Sequence, residues 1–283
     1  MSLDLHRFNA DLHAHSTVSD GTLTPRALVE RAHAQGVELF ALTDHDEIAG
    51  LHEAALAAAE FGLGFVAGVE ISVTWGGQTV HIVGLGIDPG NAALIDGLAQ
   101  VRSGRMRRAR AMADALAAAG HAGALEGALA YAGNVDLLSR THFARWLVET
   151  GACDDVREVF KKYLVAGKPG YVPHQWARLR DAVAWIAGAG GVAIVAHPGR
   201  YKLGEDEMRA LLAEFRDAGG LAIEVSTSNH TAQQARRFAK LAHEFGLEAS
   251  RGSDFHSPNE SQIELGRVPP LPEALVPVWR RFA

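Results

Sequence analysis

Residues of the types that bind divalent metal ions recur at short intervals in this chain. His13 and His15 lie two positions apart, which on a β-strand places both side chains on the same face. Asp20 follows them after a short turn and offers a carboxylate oxygen nearby. Two imidazoles and one carboxylate form a set of ligands that suits one divalent cation.

Further segments carry the same kinds of side chain, each at or just after a predicted strand end. Imidazole and carboxylate ligands without thiolate suit Mn²⁺, Zn²⁺ or Fe²⁺. Nine ligands are too many for one ion, but bridging carboxylates would let them hold two or three ions about 3.5–4 Å apart. Such a cluster binds phosphate oxygens and activates water, so it indicates hydrolysis of a phosphate ester and, less clearly, of an amide. The nine predicted ligands are His13, His15, Asp20, His45, Glu70, His81, His197, Asp254 and His256.

The elements that must position these ligands alternate between short apolar runs and amphipathic stretches, which predicts an α/β fold. Polar residues at strand ends are typical of a (β/α) barrel, and a doubly wound sheet is the alternative. We favour the barrel because it brings six or more strand ends to one point. Strands are predicted at residues 8–15, 37–43, 65–73, 79–85, 191–196, 221–225 and 247–250, and helices at 25–35, 47–61, 179–188, 205–218 and 231–245.

The alternation stops in the middle of the chain. Residues 91–175 are mostly helical, with one apolar stripe from Leu94 to Leu116 and a second set of apolar residues around Phe143. We predict a helical insertion subdomain at 91–175 that covers the active site, and a barrel domain made of 1–90 and 176–283. The proline-rich tail that follows the last strand is predicted to be extended.

Composition limits the classes of protein to which the chain can belong. Its 283 residues are 48% hydrophobic, and its net charge of −6 argues against a broad nucleic-acid surface. Three divalent cations would balance that charge in one pocket, so an acidic protein could still attract phosphate. The single cysteine, Cys153, excludes an intrachain disulfide and fits a cytoplasmic protein. Because no apolar segment is long enough to span a bilayer, we expect no membrane association. The sequence also gives no sign of an obligate protein partner.

The ligand motifs together resemble the PHP (polymerase and histidinol phosphatase) family over nearly all of residues 8–90 and 190–257. This resemblance implies a distorted (β/α)₇ TIM-like barrel, the PHP fold. It also implies three metal sets: His13, His15, Glu70 and Asp254; then Glu70, His81 and His197; then Asp20, His45 and His256. The motifs that carry the resemblance are Asp11-Leu12-His13-Ala14-His15, Ser19-Asp20-Gly21, Thr43-Asp44-His45-Asp46, Glu70, His81, His197-Pro198 and Gly252-Ser253-Asp254-Phe255-His256.

Two segments of the insertion, residues 139–145 and 167–173, are similar to the branch of 3′,5′-nucleoside bisphosphate phosphatases, which is also linked to trimming RNA 5′ ends. That resemblance implies groups that hold a second phosphate. We expect Arg140, Lys168 and Arg200 to neutralise this phosphate, His142 to donate to it, and Tyr171 to stack or hydrogen-bond.

Other polar residues receive weaker interpretations. Asn229 and His230 follow a strand end at the same rim. His230 is predicted to assist the leaving group. The metal ligands His45, Asp20 and His256 are also predicted to be catalytic. A basic run between residues 102 and 110 is interpreted as a solvated helix face, with guidance of an RNA backbone as the alternative. The histidines without motif context, interpreted as surface residues, are His6, His33, His52, His121, His174 and His243.

The sequence therefore predicts a metal-dependent phosphatase, with two or three divalent ions and Mn²⁺ as the favoured metal. Its expected substrate is a nucleoside 3′,5′-bisphosphate, hydrolysed to the 5′-mononucleotide and phosphate, with 5′–3′ exonuclease activity on short RNA as an extension. One alternative is a histidinol-phosphate phosphatase, which would need a site for an amino group. The other is a non-catalytic PHP scaffold module, for which a larger chain or degraded ligands would be expected.

Overall fold

Seven apolar segments of the chain form strands, and the strands join into one curved sheet. The computed structural model describes residues 8–282. Within those residues the strands follow one another across the sheet in chain order. They are β1 (Ala10–Asp11), β2 (Leu39–Leu42), β3 (Gly64–Trp75), β4 (Gln78–Leu85), β5 (Val192–Val195), β6 (Ala222–Thr227) and β7 (Glu248–Gly252).

Two antiparallel pairings distort a sheet that is otherwise parallel. Strands β1 to β3 pair in parallel, as do β5 to β7, whereas β4 runs antiparallel to both β3 and β5. Positive φ at both Gly76 and Gly77 forms the tight β3–β4 hairpin, because such turns match the twist of the strands. A hydrogen bond from Leu12 N to Arg251 O (3.1 Å) connects the first and last strands. The predicted distorted barrel is therefore confirmed.

The helices begin and end close to the signals in the sequence. The hydroxyl of Thr24 caps the first helix, and Gly62 ends the second with a φ of 66°. That second helix begins at Leu51, not at the predicted Glu47, because the Glu47 carboxylate accepts from the Ile48 N–H (2.8 Å) and forms a turn. The helices are α1 (Pro25–Ala34), α2 (Leu51–Phe61), α3 (Ala92–Arg102), α4 (Arg105–Ala118), α5 (Ala124–Leu129), α6 (Arg140–Glu149), α7 (Val156–Val159), α8 (Leu179–Gly188), α9 (Glu205–Asp217) and α10 (Ala232–Phe245).

Helices α4 to α7 have an apolar core separate from that of the barrel. Leu94 and Leu98 of α3 belong to the barrel core, and the single apolar helix expected here is broken at Gly104. A Cβ on Gly104 would lie 2.4 Å from the His174 ring, so a larger residue at this position would require the ring to move. The domain division at 91–175 stays a prediction. The second core contains Ala109, Met112, Leu116, Ala124, Ala128, Leu138, Phe143, Ala144, Leu147, Cys153, Val159, Tyr163 and Leu164.

The tail after β7 runs back along the barrel. Ala249 N donates to Val276 O (2.8 Å), and Trp279 is buried in the barrel core. Of the helices formed by residues 8–282, none has the length and apolar character needed to cross a membrane.

Most histidines without motif context are exposed, as predicted, although two of them are half-buried. His121 and His174 pack edge-on against the rings of Tyr163 and Trp176, at 4.8 and 4.2 Å between ring centroids. His6 lies outside the described residues. The exposed histidines of this group are His33, His52 and His243.

Candidate metal centre

All nine predicted ligands come together at one rim of the barrel. Those that follow β1, β2, β5 and β7 lie at the carboxyl ends of these parallel strands, where loops of such barrels carry functional groups. Glu70 lies within the long strand β3. His81 lies early in β4, and because β4 is antiparallel this position reaches the same rim, opposite Ser72. Six of the nine side chains are buried, and the half-buried ones are His45, His81 and His256.

Glu70 stands at the centre of the cluster. Its Oε1 atom lies 2.8 Å from His197 Nε2 and 2.9 Å from His81 Nδ1. Its Oε2 atom lies 2.9 Å from His45 Nδ1 and 3.3 Å from His13 Nε2. One carboxylate thus faces imidazoles on both of its oxygens, which is the arrangement expected of a bridging ligand.

Three groups of ligand atoms are compact enough to hold one ion each, with all atoms within 4.8 Å of one another. The first group has the four predicted members of the first set. The second group is the predicted third set with His15 added. The third group contains Glu70 and His81 of the predicted second set, together with His45. His197 contacts Glu70 without belonging to any of the three compact groups. The groups are His13, His15, Glu70 and Asp254; His15, Asp20, His45 and His256; and His45, Glu70 and His81.

Polar atoms of this cluster are buried without a hydrogen-bond partner, although nearly all buried polar atoms in proteins have one. These atoms converge on the same space, so the residues fit divalent cations, which would satisfy them. The mixture of imidazole and carboxylate suits Mn²⁺, Zn²⁺ or Fe²⁺. Among residues 8–282, the atoms of the cluster without a hydrogen-bond partner include His13 Nε2, Asp20 Oδ1, His45 Nδ1 and Glu70 Oε2.

Electrostatic coupling within the cluster keeps its carboxylates ionised. Burial raises the pKa of Glu70, but the imidazoles of His45, His81 and His13 outweigh it and hold the pKa well below its usual range. Burial lowers the pKa of His15 to about 3, with His256 and His45 adding to the effect. The centre thus offers ionised carboxylates and a neutral His15 imidazole, which are the forms that bind metal.

Glu224 is a functional candidate that the sequence interpretation missed. It is buried in β6; its Oε1 accepts from His13 Nδ1 (2.8 Å) and its Oε2 accepts from the backbone N–H of His197 (2.5 Å). A proton held at His13 Nδ1 leaves the Nε2 lone pair for a metal, as second-layer carboxylates commonly arrange. A single acidic residue inside an apolar strand is costly unless it has such partners, and that signal was readable in the sequence.

Other buried carboxylates hold the loops that carry the ligands. Asp44 accepts from Ser16 N (2.8 Å) and from the hydroxyls of Ser16 and Ser19, which fixes the turn before Asp20. His197 and Asp254 adopt positive φ values of 27° and 54°, which non-glycine residues rarely do outside functional sites. Both conformations are held by backbone hydrogen bonds, from His197 N to Glu224 Oε2 and from Asp254 N to His13 O.

Two predicted participants have other roles in the structure. His230 Nδ1 donates to Val225 O (2.9 Å) and its Nε2 accepts from Gly199 N (3.0 Å), so neither nitrogen is free to protonate a leaving group. His142 is buried, and its Nδ1 accepts from Ser139 N (3.0 Å) to cap α6. These contacts do not support the predictions that His230 assists the leaving group and that His142 donates to phosphate. Both rings position the backbone instead.

The remaining predicted substrate groups differ in their access to the centre. Arg200 forms an ion pair with Asp254 and, through Nε, a hydrogen bond to the carboxamide oxygen of Asn229 (3.1 Å). Its guanidinium therefore holds a predicted metal ligand, where the sequence predicted a free phosphate binder. Lys168 is exposed on a turn and lines no cavity at the centre, so its predicted role is not supported, and Tyr171 is half-buried near Arg140.

The basic run on α4 is not simply a solvated face. Arg107 and Arg110 are exposed, but Arg105 is buried against Asp46, with its guanidinium 4.7 Å from the Trp176 ring. Arg102 also turns inward and donates to Asp46 O, at 2.6 Å. The predicted solvated face is wrong for these inward residues. Positions 105 and 108 are three apart and so share one side of the helix.

Arg105, Arg108 and Arg140 line one small cavity of about 70 Å³ beside the metal-ligand candidates Asp20, His45 and His81. Arg108 Nε donates to Val172 O (3.0 Å). Burial, together with the neighbouring Arg140 and Arg105, lowers the pKa of Arg108 to about 9. We call this space the arginine cavity; it is positively charged and adjoins the centre.

Comparisons with known proteins agree with this geometry. A sequence profile of the PHP domain matches residues 11–228. The chain is 53% identical over 274 residues to a 3′,5′-nucleoside bisphosphate phosphatase of Chromobacterium violaceum, covering 97% of this chain and 96% of that protein. It is 44% identical over 274 residues to a 5′–3′ exoribonuclease of Escherichia coli, covering 95% and 92%.

A solved structure shares the fold over almost its whole length. It is described as an amidohydrolase from Chromobacterium violaceum with bound sulfate, and it matches with a TM-score of 0.94 and 53% identity. The match covers 97% of this chain and 95% of that one.

Proposed function

Because this chain belongs to the PHP family, we propose that it is a metal-dependent phosphatase acting on nucleoside 3′,5′-bisphosphates. It hydrolyses the 3′-phosphate ester and yields the 5′-mononucleotide and inorganic phosphate. Relatives named for this phosphatase activity and for 5′–3′ exoribonuclease activity support the proposal, since both names describe hydrolysis of phosphate esters of nucleotides.

The nine clustered side chains hold two or three divalent ions, with Mn²⁺ favoured over Zn²⁺ and Fe²⁺. Bound ions of this kind polarise a phosphate ester and lower the pKa of water, which makes water a nucleophile near neutral pH. Glu70 and Asp254 contribute ionised carboxylates. The imidazoles around Glu70 outweigh the cost of its burial, and the Arg200 guanidinium, together with the imidazoles of His13 and His256, does so for Asp254. Glu224 keeps the proton of His13 on Nδ1, so that Nε2 faces the centre as an acceptor.

The arginine cavity is the observation that carries the choice of substrate. Among the described residues, Arg108 and Arg140 form no ion pair with a carboxylate, although both are half-buried beside the metal-ligand candidates. An unpaired buried cation is costly, so the cavity is suited to an anion that arrives from outside. Guanidinium groups bind phosphate through paired N–H donors. We assign the 5′-phosphate to this cavity, with the 3′-phosphate at the metal centre.

The competing functions fit the cavity less well. Histidinol phosphate presents an ammonium group, which Arg105, Arg108 and Arg140 would repel. Amide hydrolysis has no need of a second anion site. A non-catalytic scaffold has no need of nine converging ligands. We keep the cytoplasm as the proposed location, in line with Cys153 as a free thiol.

The test is a substrate panel with metal-loaded protein. Phosphate release should be fast from adenosine 3′,5′-bisphosphate, and much slower from both histidinol phosphate and adenosine 3′-monophosphate. Chelation should abolish release, and Mn²⁺ should restore it. A preference for histidinol phosphate, or turnover unaffected by chelation, would refute the proposal.

A further inference from the structure

The helical region, which comprises α4 to α7 and the segments between them, contacts one of the three compact ligand groups from several sides. We call that group the linked set; its members are His15, Asp20, His45 and His256. Three of the four members lie in loops that are hydrogen-bonded or ion-paired to α4 or α6, as described below. The helices that line the arginine cavity therefore also hold metal ligands in place.

Ser139 forms the most direct link between the helical region and a ligand. Its hydroxyl donates to Asp20 Oδ2 (3.1 Å) and accepts from Thr141 N (3.1 Å) at the start of α6. A serine hydroxyl has one proton to donate and lone pairs with which to accept, so both bonds form at once. Asp20 Oδ1 is buried and has no hydrogen-bond partner. The bond from Ser139 thus orients the carboxylate and leaves Oδ1 for an ion.

The residue after Ser139 serves the phosphate site. Arg140 is the first residue of α6, and it lines the arginine cavity together with Ser139 and Thr141. A phosphate bound by Arg140 therefore restrains the same turn of the chain that orients Asp20. Any shift of this turn moves a phosphate donor and the partner of a metal ligand together.

A second link runs from α4 to the loop of His45. The carboxylate of Asp46, the next residue, pairs with Arg105 and accepts from Ser72 N (2.7 Å). The carbonyl of Asp46 accepts from Arg102 Nη1 (2.6 Å) at the end of α3. Because Arg105 also lines the arginine cavity, one guanidinium both faces the phosphate site and holds the loop of a ligand.

A third link runs from α6 to the loop of His256. Arg145 donates to both carboxylate oxygens of Glu260, at 2.8 and 2.7 Å. The hydroxyl of Ser261, the next residue, accepts from His256 N (2.9 Å). Arg145 is buried, so this bidentate pair is little screened by solvent and fixes the loop after β7 against α6.

The ligands of the first compact group are held differently. Glu224 of β6 accepts from His13 Nδ1 (2.8 Å), and Arg200, which follows β5, pairs with Asp254. Glu70 lies within β3. These partners belong to the barrel, so a change in the helical region should reach the linked set first.

We propose that the helical region couples the arginine cavity to the linked set, so that a phosphate in the cavity and a divalent ion at the linked set each strengthen the binding of the other. Ser139 is the positioning residue of this coupling. The inference rests on the proposed function, because it takes the 5′-phosphate to occupy the arginine cavity. Such coupling is reciprocal, so the ion tightens the phosphate by the same factor by which the phosphate tightens the ion. A phosphate ester without the second phosphate then meets a linked set that holds its ion weakly.

The first experiment measures Mn²⁺ binding with and without adenosine 5′-monophosphate, which carries only the phosphate assigned to the cavity. Electron paramagnetic resonance gives the free Mn²⁺ during a titration of metal-free protein. The nucleotide should lower the Mn²⁺ Kd of one binding step about tenfold, within the usual range of coupling between sites, and that step should be the one weakened in Asp20→Asn. A nucleotide that changes no binding step overturns the inference.

The second experiment separates coupling through the protein from direct contact between the nucleotide and an ion. Ser139→Gly removes the hydroxyl and costs the helix little, since glycine is tolerated at an N-cap. The effect of the nucleotide should fall from about tenfold to about two- to threefold, because the links through Arg105 and Arg145 remain. Ser139→Thr retains a hydroxyl and should retain the effect. An undiminished effect in Ser139→Gly means that the nucleotide acts on the ion directly, which overturns the inference.

Thr231→Gly is the matched control for the loss of a cap. The Thr231 hydroxyl caps α10 by accepting from Gln234 N (3.2 Å), and this residue belongs neither to the arginine cavity nor to the three ligand groups. The control should show the full effect of the nucleotide.

Arg145→Met breaks the third link without touching the cap of α6, and it keeps the inference testable if Ser139→Gly does not fold. The effect of the nucleotide should fall in this variant as well, because the loop of His256 is no longer fixed to α6. An effect of full size in Arg145→Met overturns the coupling.

Failure of this inference can be told from failure of the proposed function. Wild-type protein that hydrolyses adenosine 3′,5′-bisphosphate, but whose Mn²⁺ binding does not respond to the 5′-monophosphate, refutes only the inference. Wild-type protein that does not hydrolyse the bisphosphate refutes the function itself.

Discussion

The metal centre and the arginine cavity lie side by side but are built differently. The centre takes its ligands from the ends of barrel strands, and buried carboxylates such as Asp44 and Glu224 fix the loops around it. The cavity takes its guanidinium groups from α4 and α6 of the helical region, where Arg105 pairs with Asp46 and Arg108 Nε donates to Val172 O. We infer that the strand ends supply reactivity toward any phosphate, and that the helices select the substrate.

The largest effect should come from the residue at the centre of the cluster. Glu70→Ala removes a carboxylate that faces imidazoles on both oxygens, so more than one ion should be lost per chain. Activity should fall by several orders of magnitude on every phosphate ester, because the loss removes Lewis-acid charge. Elemental analysis of folded protein measures the metal content. A variant that kept its full metal content would contradict the bridging role.

The next effect separates the two regions. Arg140→Ala should lower kcat/KM for adenosine 3′,5′-bisphosphate roughly ten- to a hundredfold, the value of a charge-assisted hydrogen bond of about 1.5–3 kcal/mol. Hydrolysis of adenosine 3′-monophosphate should change far less, since that substrate has no group for the arginine cavity. Steady-state kinetics on both substrates checks the difference. An equal loss on both would show that Arg140 serves the chemistry or the fold.

A third change weakens the metal centre without removing a ligand. In Glu224→Gln, the side-chain amide must present its NH₂ group to either His13 Nδ1–H or the backbone N–H of His197, both of which are donors. The tautomer of His13 with its proton on Nε2 is then favoured, and Mn²⁺ affinity should fall about ten- to a hundredfold. Equilibrium dialysis measures the Mn²⁺ affinity of the variant and of the wild type.

The control for this third change is Glu248→Gln. Glu248 is also a buried strand carboxylate, but its partners are Arg280 and Arg281 at a distance from the ligands. The Glu248→Gln variant should keep the Mn²⁺ affinity of the wild type. Similar affinities in the two variants would mean that Glu224 does not orient His13.

The contrast between the metal centre and the arginine cavity also explains what could be predicted from the sequence. Ligands at strand ends occur in short motifs, because a strand fixes where its next residues point; hence the barrel and the converging ligands followed from the motifs. Strand β1 is shorter than expected, since beyond Asp11 the backbone has only isolated contacts with its neighbours, such as Leu12 N to Arg251 O and the Ala14–Phe255 bridge. The arginine cavity did not follow, because which side of α4 faces inward depends on where the helix packs.

The two histidine assignments that the contacts do not support differ in what the sequence reveals. His230 is engaged by Val225 O and Gly199 N, and nothing in the local sequence reveals the second contact, 31 residues away. His142 is different, since Ser139 precedes it by three positions, which is the spacing of a capping box at a helix start. That signal was readable and identified the residue as a cap.

The smallest effect on activity should come from His142, whose role can be tested through the pH dependence of stability. Burial lowers its pKa to about 4, against roughly 6.5 in an unfolded chain. As the pH falls below 6.5, the unfolded state binds a proton that the folded state does not bind until about pH 4. The free energy of unfolding therefore falls over this interval. Titration of His142 should lower it by about 2 kcal/mol at pH 5 relative to pH 7.5.

Glutamine at this position tests the assignment, because its amide oxygen can still accept from Ser139 N while the side chain cannot titrate. Chemical denaturation of wild type and His142→Gln at both pH values gives four free energies of unfolding. The fall in stability from pH 7.5 to pH 5 should be about 2 kcal/mol smaller in the variant, since the other titrating groups are common to both proteins and cancel. Equal falls would mean that His142 is protonated in the folded state. The ring would then be a cation, and its place as the neutral cap of α6 would have to be given up.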